Sequence, residues 1–406
     1  MRSRTLGALV VALLLASTVR FAGAADAPKR KPLSPEERSA ILTLIKAVDH
    51  AQEADAMGDE LGWQHHVLKA PHTTAYVPFR IDFGALADAV KVGAIYVRAV
   101  SRHDGLRAKD ERSILRDWLL HAGDVAPRPQ ESVMVPAGEL PVGGPAIGSR
   151  REGISAAAAS STVLALQQRA LDRRKAADDA AKKKAETPER NPYVVPFEEY
   201  YFFDSKSRGF QAKAIERALV LPPGEFDVFV GFIDRARVKT STPTVIRRTV
   251  TVPDLWEQLA ISSLILVSDV VPMPAPLAPQ QQSERPYVFG RSEILPRTTP
   301  AFTTNDALSV VLQVCNYGAP DAELTVEYNF FHDVDGRRTL FNRTQPQILG
   351  DQDLPAPAPW ETQAFVMQTV PLGSFPPGRY ELEVTARDRL TRSVAKNAVA
   401  FTVGVR

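Results

Sequence analysis

Apolar and polar positions alternate with period two over much of this chain, the pattern of half-buried strands. Tyr76-Val77-Pro78-Phe79-Arg80-Ile81-Asp82-Phe83 alternates after its proline, within a segment running from Thr74 to Phe83. Trp63 to Leu68 and Val90 to Val100 read as companions. The pattern resumes at Tyr193 to Phe203, Ala212 to Leu221 and Thr244 to Val252. One stretch keeps a helical period instead. Ser34 stands as N-cap, Pro35 in the first turn, and Glu37 completes a capping box. Ile41, Leu44, Ile45 and Val48 then recur three and four apart, fading at Met57-Gly58.

A strand-turn unit occurs twice. Leu221-Pro222-Pro223-Gly224-Glu225-Phe226-Asp227-Val228 runs on to Asp234-Arg235, and Phe375-Pro376-Pro377-Gly378-Arg379-Tyr380-Glu381-Leu382 to Asp388-Arg389. Each is a Pro-Gly turn, an alternating strand and an Asp-Arg corner. The copies differ in their outward faces. Glu381, Glu383, Thr385 and Arg387 make the second half exposed, whereas Phe229, Gly231 and Ile233 leave the first needing cover on both sides. The helix of residues 35 to 57 is the expected cover, laying Ile41, Leu44, Ile45 and Val48 over Phe229 and Ile233.

These patterns predict a mainly β chain of two immunoglobulin-like or fibronectin-like β-sandwich modules with an N-terminal amphipathic helix. The expected divisions are a signal peptide at 1–24, a tether at 25–33, the helix region at 34–60, a first module at 61–271, a Pro/Gln-rich linker at 272–286 and a second module at 287–406. A flexible and helical, partly disordered insertion at about 105–190 interrupts the first module. Its Pro/Gly stretch gives way to an Ala-rich segment with Asp178 and Asp179 four residues ahead of Lys182 and Lys183, a solvated helical spacing.

The first residues add a destination. Arg2 and Arg4 precede an apolar run from Leu6 to Ala16, and Ala22-Gly23-Ala24 supplies the small residues of a cleavage site. The expectation is a periplasmic or secreted protein with no membrane span after cleavage. Cys315 is the only cysteine, so an internal disulfide and a cysteine-based zinc site are excluded. The formal net charge of +2 gives no general attraction to nucleic acid, and no nucleic-acid partner is expected.

Candidate chemistry is sparse. His65-His66, with His50 and His72 nearby, is the most suggestive cluster, but neighbours on a strand point to opposite faces, so rim or surface positions are expected. Asp333-Val334-Asp335-Gly336 opens like a calcium loop but continues Arg337-Arg338, and fits a hairpin turn better. Asn342-Arg343-Thr344 matches a glycosylation sequon, set aside in a chain read as bacterial. Glu198-Glu199 could be imagined as paired glycosidase acids, but adjacency does not set two acids across a cleft. Nucleophile, phosphate-loop and dinucleotide motifs are missing from the sequence. No catalytic, metal or cofactor residue is assigned. Tyr200, Phe202, Phe331 and Trp360 are the aromatics that could serve a ligand.

Val326-Glu327-Tyr328-Asn329-Phe330-Phe331, Phe341 to Gln347, and Val370 to Tyr380 resemble the β-sandwich tails of uncharacterised exported bacterial proteins, some attached to GWxTD-type or von Willebrand A-related regions. Tyr193 to Leu255 is similar to a preceding module in that group. Gly62-Trp63 is followed by Gln64-His65, so the Gly-Trp-x-Thr-Asp motif itself is missing. The resemblance implies a fold and an exported setting. The expected function is non-enzymatic binding or envelope interaction, with another envelope or extracellular protein, or a glycan, as partner. The competing expectation is a hydrolase acting on glycans or peptides through a loop-built site.

Overall fold

The computed structural model describes residues 33–55, 58, 61–70, 73–84, 90–102, 195–204, 213–282, 284–318, 323–350, 353–354 and 363–405. The expected signal peptide, nearly all of the tether and the 105–190 insertion lie outside them, as do His72 and Trp360.

The capping box forms as its residues demand. Ser34 Oγ accepts from the Glu37 backbone N–H at 3.2 Å, and Glu37 Oε2 accepts from the Ser34 N–H at 3.0 Å. Helix α1 spans Pro35–Glu53, shorter than the expected 57. The Ala54 N–H makes the last bond of the helix, to His50 O, and Asp55 then ends it by turning left-handed with φ of 51°.

In chain order the strands of the first module are β1 (Gly62–His65), β2 (Leu68–Lys69), β3 (Ala75–Asp82), β4 (Val92–Ser101), β5 (Phe197–Asp204), β6 (Ala214–Leu221), β7 (Gly224–Asp234) and β8 (Thr244–Val252). They form two sheets. One, the helix-bearing sheet, has the order β5-β4-β7-β8; in the other, β3 lies between β6 and the broken edge β1/β2. Ile95, Val97, Phe226, Val228 and Val230 meet Val77, Phe79, Ile81 and Leu219 between them. Residues 102–196 intervene between β4 and β5, yet Ala99 stands directly opposite Phe197.

The helix does cover the second face of β7. Ile41, Leu44, Ile45 and Val48 are fully buried against Ala94, Tyr96, Phe229 and Ile233. Gly231 permits the close approach, since a β-carbon there would stand 3.2 Å from Leu44 Cδ2 and 3.3 Å from Val48 Cγ2. Buried Arg98 fastens the same joint, its Nη1 donating to Asp49 (2.7 Å) and Gln52 (3.2 Å) on the helix and its Nε to Tyr96 (2.8 Å). Burial works against its charge, but Tyr96, Glu198 and Asp49 outweigh it and hold the guanidinium above its ordinary range.

The second module contains β9 (Ala260–Ile261), β10 (Ile265–Pro272), β11 (Val288–Phe289), β12 (Ser292–Pro296), β13 (Ala301–Thr303), β14 (Ala307–Cys315), β15 (Leu324–Val334), β16 (Arg337–Arg343), β17 (Gln347–Leu349), β18 (Gln363–Pro371), β19 (Gly378–Asp388) and β20 (Val394–Gly404). One sheet runs β11-β12-β10-β14-β18 with β9 on β14; the outer sheet runs β13-β20-β19-β15-β16 with β17 on β15. Leu266, Leu308, Val310 and Leu312 of the first pack on Tyr328, Phe330, Leu382 and Val384 of the second. Both copies of the repeated unit are interior strands of equal length, β7 and β19. Asp234 and Asp388 close them alike, each Oδ1 accepting from the backbone N–H two residues on at 2.9 Å.

Two expected boundaries are corrected. Residues 260–272 pair with β12 and β14, so they belong to the second module's sheet rather than the first's. The 272–286 segment is not a free spacer. Met273 donates its N–H to Arg291, Arg285 pairs with Glu293 at 2.6 Å, and buried Gln282 donates to Val288 O at 2.8 Å. Proline supplied a linker signature, but the Met273 backbone and the Gln282 and Arg285 side chains tie this stretch to the fold.

The two modules also stack. Leu68, Ala70, Tyr76 and Ala218 on the outer face of the β3 sheet pack against Ile265, Val267, Tyr287, Phe289 and Val311 on the β10 sheet. The layers run helix, helix-bearing sheet, β3 sheet, β10 sheet, outer sheet.

Candidate interaction surface

Most polar side chains singled out in the sequence serve the architecture. Tyr200 is buried under α1, and Phe202 packs there beneath the Arg235 guanidinium at 4.8 Å. Glu198 accepts from Tyr96 and pairs with Arg98 at 3.5 Å, while Glu199 accepts from Tyr201 at 2.6 Å. They do not face each other across a cleft. Cys315 is fully buried, and burial pushes its thiol up to about 12.

The histidines part company. His65 accepts from Trp63 Nε1 at 3.0 Å, and Trp63 stacks on Phe79. The expectation of a rim or surface position fails for His66, which is only 7% exposed and lies 2.9 Å from the Tyr287 hydroxyl. Desolvation, with a smaller push from His65, lowers it to about 3. His66 falls at the break between β1 and β2, and the stacked second module closes over it. Among the described residues no group of three or more His, Cys, Asp or Glu could hold a metal.

Among the described residues, four of the eight exposed large apolar side chains lie on the β15–β16 hairpin and β17, the others being Met367, Leu390, Val394 and Val405. Asp335 and Gly336 take φ of 52° and 76°, the double left-handed turn that suits an Asp-Gly hairpin. Every residue of β16 is exposed. Val334 and Leu340 are each 46% accessible, Phe341 37% and Ile348 65%. Leu340 stands opposite Phe331, whose ring lies 3.4 Å beneath the Arg338 guanidinium carbon; Arg338 also reaches Glu381 and Glu383. A register shift beside Phe331 leaves Phe341 outside the ladder. Its ring instead joins His332, Phe375 and Tyr380, with His332 stacked on Tyr380 at 4.5 Å. Gly378 makes room, since a β-carbon there would lie 2.3 Å from His332 Nε2.

This hairpin offers side chains rather than a backbone edge. A bulge and three arginines (Arg337, Arg338 and Arg343) are the features by which an edge strand resists pairing with a foreign strand. Sequence reasoning picked out Phe331 and the Asp-Gly turn. It missed Leu340, Phe341 and Ile348, although Leu340 and Phe341 between arginines in one short strand were a readable sign.

No family model matches the chain, and no curated protein matches it. Among solved structures, a red sea bream transglutaminase aligns at 7% identity and a TM-score of 0.19, covering 89% of this chain and 34% of that one. The E. coli alpha-2-macroglobulin aligns at 12% and 0.19, covering 86% and 17%. Bacteroides uniformis beta-glucuronidase 2, covalently bound to cyclophellitol-6-carboxylate aziridine, aligns at 8% and 0.21, covering 81% and 26%. The chain thus spans about a third or less of the length of each, and scores this low define no common fold.

Proposed function

We propose that this chain is an exported, non-enzymatic binding protein whose β15–β16 hairpin and β17 meet another protein of the envelope or the extracellular space. One observation carries the reading: Leu340 and Ile348 are exposed on the outward face of the outer sheet's edge, opposite Phe331 and Thr325 of β15, with Val334 and Phe341 exposed at the hairpin end and the bulge. Apolar side chains scattered singly are ordinary on a surface, but several along one sheet edge, flanked by charge, suit a protein contact. Arg337, Arg338 and Arg343 supply that charge. Export rests on the basic start, apolar run and Ala22-Gly23-Ala24. No described helix is long and apolar enough to cross a membrane.

The test places a photo-crosslinking residue at Leu340 or at Ile348, and as a control at exposed Thr251 on β8, in the native host. A discrete adduct from the first two positions and none from Thr251 is the expected result. Equal labelling at all three would sink the assignment of this surface. A hydrolase screen on the mature protein separates the competing reading, because turnover abolished by a single substitution would replace binding with catalysis.

A further inference from the structure

The stack of the two modules closes over one ionisable ring. His66 sits where the broken edge of the β3 sheet meets the β10 sheet. Its backbone N–H donates to Pro78 at 3.0 Å, and its ring meets Tyr287 edge-on. The Tyr287 hydroxyl lies 2.9 Å from His66 Nδ1 and 3.3 Å from Pro78 O, so it bridges the modules. Around them Tyr76 donates to Pro286 O at 3.0 Å, and Lys69 donates its N–H to Gln313 at 2.8 Å.

The ionisable groups on the surrounding elements are committed elsewhere. On the first-module side, Arg80 pairs with Asp82 at 3.3 Å and Glu216 at 3.2 Å, Lys69 Nζ donates to Asn316, and His65 accepts from Trp63. On the second-module side, Tyr287 is the facing hydroxyl and Arg285 pairs with Glu293. Among the described residues, no carboxylate is a hydrogen-bond or ion-pair partner of His66.

We propose that this joint is opened by acid: a proton on His66 separates the β3 sheet from the β10 sheet. A charged imidazole here would be shut away from water with a hydroxyl but no anion beside it, an arrangement that disfavours the closed state. Separation gives the ring water again. The sign follows from the shift. The neutral ring is favoured while closed, so the joint is fully stable above the free-histidine value of 6.5 and weakens as pH falls from there toward about 3. Each unit in that window lowers the closed-to-open ratio by about tenfold.

The experiment uses the full chain and its His66→Gln and His65→Gln variants, followed by small-angle scattering from pH 7.5 to 4. Glutamine keeps a polar amide at the site and cannot be protonated there. Wild type and His65→Gln should expand on acidification, while His66→Gln stays compact. The His66 ring resonance of the wild type should remain that of neutral imidazole until the scattering changes, a reading that does not depend on any variant folding. A wild type as compact at pH 4 as at pH 7.5 would overturn the proposal. So would a protonated His66 in the compact form, an identical acid response in His66→Gln, or its loss in His65→Gln.

Discussion

Replacing Leu44 by alanine tests whether α1 belongs to the core of the first module. Leu44 is fully buried, packed among helix neighbours and against Phe229, with its Cδ2 over Gly231. The change removes three carbons, which at about 0.8 kcal/mol each gives a transfer loss of about 2.4 kcal/mol. A cavity term adds to it, because the sheet cannot follow the helix inward while Arg98 spans Asp49, Gln52 and Tyr96. Buried leucine-to-alanine changes of this kind cost about 2.7–5 kcal/mol, and the gain in helix propensity offsets only a few tenths. Urea unfolding followed by circular dichroism measures the difference, with Lys46→Ala on the exposed side of the helix as reference. Leu44→Ala should lose about 3 kcal/mol and Lys46→Ala less than about 0.5. A loss below about 1 kcal/mol for Leu44→Ala would mean that the helix is not held by this stripe, and the layered account of the first module would fail.

Gly93→Ala should destabilise the helix-bearing sheet by about 1–3 kcal/mol, since the new carbon would stand 2.1 Å from Phe203 Cζ; an unchanged melting temperature would contradict that packing. Tyr380→Phe removes the hydroxyl that donates to Pro376 O at 2.6 Å and should cost about 1 kcal/mol in the same urea assay, which a neutral result would refute. Cys315 should resist a thiol reagent at pH 8 in the folded protein and react fully once denatured, because burial holds the thiol protonated; rapid native labelling would count against its burial. Leu340→Asp, placed on an exposed strand, should shift stability by less than about 0.5 kcal/mol while weakening crosslinking from Ile348, and a large loss of stability would recast Leu340 as core.

Local signals in the sequence carried the elements well. Ser34, Pro35 and Glu37 announced α1 because capping is decided by residues next to one another, and Phe229, Gly231 and Ile233 announced its docking because an apolar face demands cover. The stacking of the modules was less legible. Tyr76 and Tyr287 meet across more than two hundred positions of sequence, and nothing within either segment says which outward face will find the other. The hint was available in Tyr76-Val77-Pro78-Phe79 and Ile265-Leu266-Val267, which are apolar on both faces and so want cover twice. His66 was misplaced for the same reason: its burial comes from the second module, not from its own strand. The hairpin surface escaped notice because exposure of Leu340 and Ile348 depends on no further layer covering the outer sheet among the described residues.

The adjacency of Ala99 and Phe197 makes the sheet, rather than the intervening chain, the fastening of this module. Where two paired strands are joined by a long excursion that departs and returns at one point, the strands themselves fix the join, and the excursion's length enters only through a slowly growing closure entropy. At such a junction a longer or shorter stretch costs little, each doubling of length adding only about 0.6 kcal/mol. The first module therefore carries a socket: its frame is set by the strands on either side and not by the length of the stretch between them.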